Sequence, residues 1–142
     1  MRFFKFLLVI ASVLSLNISM AFAATSHYSA ALSVGAEAPG KTGPGVGNAE
    51  GSFDSSTSKF TYTITYSGLS GPVTAAHFHG PAAPGANAGV ALDMKGDLAS
   101  PIHGETTLTA DQAEGLTKGL WYINLHTAEN PKGEVRGQVL AK

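Results

Sequence analysis

The chain has 142 residues, no cysteine, 13% charged side chains and a formal net charge of −1. Lack of cysteine excludes a disulfide framework, thiolate metal sites and cysteine nucleophiles. A mild charge balance with no basic cluster argues against a nucleic-acid partner or an electrostatic hold on anionic membranes.

The first residues have the form of a secretory signal peptide. Arg2 and Lys5 precede a mostly apolar, uncharged run from Phe6 to Met20, and Ala21-Phe22-Ala23 supplies the small residues that signal peptidase reads. Cleavage is expected after Ala23, leaving residues 24–142 as a single domain. The apolar run is short for a membrane span and no second one follows, so no membrane insertion is expected after processing. The implied address is the periplasm or the medium. Of the nine basic residues, Arg2 and Lys5 leave with the signal peptide; seven remain against ten acidic residues.

Tyr28–Val34 alternates well enough to be a first strand. Residues 35–47 are rich in Gly and Pro, lack periodicity and read as a loop. Ala49–Asp54 is a short strand, followed by a polar turn to Ser58. Phe60–Tyr66 places aromatic and Ile side chains on one face and threonines on the other, the strongest strand signal in the chain. Residues 68–72 break it, and Val73–His79 forms the next strand. Gly80 to Gly89 is an uncharged loop with three glycines, placed where it can fold over whatever the preceding strand presents. Val90–Met94 and Ile102–Leu108 read as strands flanking a turn at 96–101. Thr109-Ala110-Asp111-Gln112 has the form of a capping box opening a short helix that closes near Gly119. Leu120–His126 is a strand, 128–133 a turn, and Glu134–Leu140 the last strand.

Short strands with Gly/Pro-rich turns and one short helix predict an all-β fold: an antiparallel Greek-key, immunoglobulin-like sandwich or barrel. Phe60, Tyr62, Ile64, Phe78, Trp121, Ile123 and Leu125 are the predicted core.

Two strand ends carry candidate chemistry. In Ala75-Ala76-His77-Phe78-His79, alternation puts both imidazoles on one face and Phe78 on the other. Trp121–His126 repeats the pattern with a terminal histidine. Two imidazoles bind a metal weakly; His126 as a third makes a site with nitrogens about 2.0 Å from a shared ion and within about 4 Å of one another. The bland alternative is that His77 and His79 are solvent-facing or hydrogen-bonded strand residues. His103 is a possible fourth ligand or a surface-loop residue. His27 would take part in an amino-terminal metal site only if cleavage fell one residue later. Asn124 shares a face with His126 and can orient it, whereas Tyr122, on the same face, reads as packing. Glu134 and Arg136, two apart, read as a salt bridge or a clamp on the preceding turn; alternatively Arg136 draws a small anion to the metal. Thr127 and Asn130 read as turn-fixing. Asp93, Asp97 and Glu105 read as solvated surface. No G-x-S-x-G elbow or phosphate loop is present.

The stretches Tyr66–Pro81 (YSGLSGPVTAAHFHGP) and Gly119–Gln138 (GLWYINLHTAENPKGEVRGQ) resemble the two signature blocks of the CHRD domain, named for its repeats in chordin and found in bacterial secreted proteins. The resemblance spans about residues 28–140. It implies an all-β, immunoglobulin-like domain outside the cytoplasm and no settled biochemical activity. A more local likeness, H-x-H, then a lone histidine, then G-x-R, is to copper/zinc superoxide dismutases. That likeness implies His77, His79 and His126 as copper ligands with Arg136 near the open position, although the disulfide cysteines and zinc loop of that family are missing. Three readings follow: a copper-binding exported domain, with zinc the second choice of ion; a non-catalytic extracellular interaction module; and a dismutase-like enzyme.

Overall fold

The computed structural model of the protein describes residues 24–38 and 41–142. The expected signal peptide, residues 1–23, lies outside them. Eight strands run in chain order as β1 (Thr25–Ser33), β2 (Val46–Asp54), β3 (Lys59–Ser67), β4 (Val73–His79), β5 (Val90–Asp93), β6 (Ile102–Thr107), β7 (Trp121–Thr127) and β8 (Val135–Ala141). They form one sheet, in the order β5-β4-β7-β8-β1-β2-β3-β6, and every pairing is antiparallel.

The sheet curls until its two halves face each other. Phe60 and Tyr62 of β3 meet Phe78 of β4, five strands away in the sheet order, with ring centroids 5.5 and 5.1 Å apart and steep edge-on angles. Trp121 of β7 completes the cluster against Phe60 at 6.1 Å. Such tilted contacts let the positive ring edge meet the negative face. All seven residues of the predicted core are buried, joined by Tyr28 and Leu32 of β1, Val135 and Val139 of β8 and Ile102 of β6. Gly104 of β6 is required by this packing: a Cβ there would stand 2.2 Å from the Tyr62 ring.

The expected helix is present as α2 (Ala110–Thr117). Its capping box is formed as read, with Gln112 N–H donating to Thr109 Oγ1 at 3.2 Å and Thr109 N–H to Gln112 Oε1 at 2.9 Å. The segment expected to be all loop departs from the reading at both ends. A one-turn helix, α1 (Val34–Glu37), follows β1, and β2 begins at Val46. Ser33 starts the turn by accepting a hydrogen bond from Ala36 N–H at 3.2 Å, which satisfies one of the free amides of a helix start.

All seven residues of β7 are buried, so this strand is covered on both sides. One side is the core. The other is polar and holds the histidines.

Phe78 lies under the histidine pair and contacts Phe60, Tyr62 and Trp121. Phe78→Ala is expected to cost about 3–5 kcal/mol through lost burial and a residual cavity. Chemical denaturation measures this, and a loss below about 1 kcal/mol would contradict the packing described.

Candidate metal centre

Strand pairing assembles the site. On the β4–β7 ladder His77 is opposite Asn124, His79 is opposite Tyr122, and Ala75 is opposite His126. Since side chains alternate, His77, His79, Tyr122, Asn124 and His126 all project from one face. On the other side of β7, Arg136 of β8 pairs with Asn124.

The three imidazoles converge. One ring nitrogen from each of His77, His79 and His126 lies within 4.8 Å of the others. His77 Nδ1 is 3.0 Å from His126 Nε2. Ligands about 2.0 Å from one ion stand at most about 4 Å apart, so closing this triangle on an ion takes a ring shift of under about an ångström.

Outer contacts fix which nitrogens face inward. His79 Nδ1 is 3.0 Å from the Ala88 carbonyl, and His126 Nδ1 is 3.1 Å from the Pro131 carbonyl. A carbonyl only accepts, so both Nδ1 atoms carry the proton and each neutral ring turns a bare Nε2 lone pair inward. Asn124 Oδ1 stands 3.0 Å from each of these Nε2 atoms. With the amide oxygen turned inward, three lone-pair acceptors face one another, an arrangement that favours a cation between them. Turning the Asn124 amide over would instead offer both rings an N–H donor.

Burial tunes the same groups. Desolvation first, then the neighbouring His126 and His79, hold the His77 pKa below its ordinary value, with Asp93 opposing. Desolvation also lowers that of His126, against the hydrogen bond to Pro131. Both rings are thus kept neutral, the state a metal requires. The His77 side chain is 20% exposed and is the open edge of the cluster.

Three segments close over this face. Residues 80–89 are pinned at Ala88 by His79 and the Tyr122 hydroxyl, and at Ala86 and Asn87 by the Arg136 guanidinium, which lies 2.7 Å from Asn87 Oδ1. The turn after β7 is held by Asn130 N–H donating to Thr127 Oγ1 at 3.2 Å. The third segment is α1, which brings in Glu37. Burial raises its carboxyl pKa, against the lowering effects of Arg136, His79 and Asn124.

Several expectations change. Tyr122 is more than packing: its ring is stacked on His79 at 4.8 Å and 4°, and Arg136 Cζ lies 3.4 Å from its centroid on the β8 side. Arg136 is buried and is not paired with Glu134. Glu134 instead clamps the turn, accepting from Ser70 N–H at 2.7 Å and from the Ser70 and Thr127 hydroxyls at 2.6 Å each. Asp93 is not simple surface; its Oδ1 is 3.7 Å from His77 Nε2. His103 stays apart on strand β6, exposed and 3.1 Å from Thr63 Oγ1, and His27 lies on β1 opposite Ser52. Glu37 was missed because the Gly/Pro-rich composition around it hid the Ser33 cap, the one local signal available.

These features describe an all-β domain with a partly covered histidine cluster on the outer face of its sheet. The CHRD domain family model matches residues 28–139, and the chain belongs to that family. No curated protein and no solved structure matches it.

The two depressed histidines predict a pH dependence for the metal-free protein. The unfolded chain takes up protons near the ordinary value of 6.5, whereas the folded rings resist them until lower pH. Stability should therefore be flat above that value and fall as pH drops below it. Urea midpoints between pH 7.5 and 5.5 test this; the decline should shrink in a His77→Asn/His126→Asn variant, and an unchanged decline there would contradict the assignment.

Proposed function

We propose that this is an exported domain, acting in the periplasm or outside the cell, that binds one transition-metal ion through His77, His79 and His126. The observation that carries this reading is the pair of backbone carbonyls on His79 and His126. Each holds an Nδ1–H and aims the opposite nitrogen at a common point beside His77. A ligating histidine ordinarily has its other nitrogen held by such a partner, which fixes tautomer and ring orientation. Neutral nitrogen donors without thiolate suit copper or zinc, and the general order of divalent affinities favours copper.

The ion would sit on the polar face of the β4–β7 ladder, over the His77–Asn124 pair, with His77 toward solvent. The protein's own part is to keep His77 and His126 neutral and all three rings oriented and partly shielded. The dismutase-like alternative has less support, because the Arg136 guanidinium is engaged by Ala86, Asn87 and the Tyr122 face. An interaction module remains the alternative if no ion binds.

Calorimetric titration of the purified protein with Cu(II) and Zn(II) tests the proposal. One equivalent of Cu(II) should bind, and His126→Ala should weaken it by at least roughly a hundredfold, the upper end of what loss of an outer-shell partner costs. Equal uptake by the native protein and a variant with all three histidines replaced by alanine would overturn it. Superoxide decay at background rate with the copper-loaded protein would end the dismutase alternative.

A further inference from the structure

We infer that Glu37 supplies the fourth ligand of this centre, a carboxylate oxygen that gives the bound cation a negatively charged partner. The inference rests on the metal-binding reading above and adds a residue from a separate part of the chain.

Placement comes first. Ser33 pairs with Arg136 across the β1–β8 ladder, so the chain leaves β1 beside the polar face. The α1 turn, fixed by its Ser33 cap and by Ala38 N–H donating to the Val34 carbonyl at 3.0 Å, then carries Glu37 over β8. There burial raises its carboxyl pKa, against the lowering pull of Arg136 first and then of His79 and Asn124. Gly133 makes the space, since a Cβ on it would lie 2.6 Å from Glu37 Cδ.

Glu37 Oε2 is buried and accepts no hydrogen bond. A desolvated carboxylate oxygen without a partner is costly, and a cation among the adjacent imidazoles would remove that cost. The neighbouring carboxylates are already engaged: Asp93 pairs with Lys95, and Glu134 accepts from Ser70 and Thr127. Glu37 stands outside the triangle of ring nitrogens, so it reaches an ion by rotating its own side chain. Three neutral imidazoles leave the full charge of a divalent ion in a low-dielectric pocket, and one carboxylate halves it.

Copper titration and electron paramagnetic resonance of the native protein, Glu37→Gln and Glu37→Asp test the assignment. Glu37→Gln keeps the shape and removes the charge. It should bind Cu(II) at least about tenfold more weakly, with altered g and hyperfine values, while the metal-free protein keeps its melting temperature or gains. Glu37→Asp, one methylene short, should also shift the spectrum. Native binding with unchanged affinity and spectrum in both variants overturns this inference and leaves the histidine site standing. Loss of metal-free stability with an unchanged spectrum makes Glu37 a structural partner of Arg136 and overturns it too. No binding by the native protein overturns the histidine reading, and this one with it.

Discussion

The register between β4 and β7 is the constraint on which the rest depends. Antiparallel pairing sets His77 against Asn124 and His79 against Tyr122, with His126 one step along. A slip by one residue would exchange the faces, driving His77 and His79 into the core and Phe78 outward. The aromatic cluster of Phe60, Tyr62, Phe78 and Trp121 forbids that slip, because burying two imidazoles in place of Phe78 would lose apolar area and leave polar nitrogens unpaired. The hydrophobic side of the sheet thus fixes the geometry of its polar side.

Around that ladder, loops do what strands cannot. Strand pairing brings the rings to one place but leaves each free to choose its tautomer. The Ala88 and Pro131 carbonyls make that choice for His79 and His126. Both carbonyls belong to segments with anchors of their own. Arg136 and Tyr122 hold 80–89, while Glu134, Thr127 and Asn130 hold the turn after β7. The second signature stretch, N-x-H-T followed by N-P-x-G-E-x-R-G, therefore reads physically as one histidine together with the residues that orient it and cover it.

Local alternation carries the core and the histidine faces, whereas contacts between distant strands do not show in it. Alternation in Phe60–Tyr66 and Trp121–His126 identified the core, since a half-buried strand writes its burial into a period of two. The same alternation put His77, His79 and His126 on faces able to meet. Asp93 faces His77 only through the β4–β5 register, a long-range fact that composition does not encode. Tyr122 looked like packing because an aromatic on a strand usually is; its place between His79 and Arg136 depends on three neighbouring strands. Glu37 sits in a segment whose glycines and prolines suppress every periodic signal, and its meaning comes from a sheet neighbour about a hundred residues away.

The most direct measurement is anomalous diffraction at the copper edge from crystals of the protein grown with Cu(II). A single strong peak is expected about 2.0 Å from one nitrogen each of His77, His79 and His126. His79 and His126 should keep their Nδ1 contacts to Ala88 and Pro131. A peak placed elsewhere, or His77 still hydrogen-bonded to His126 with no anomalous signal among the three rings, would contradict it.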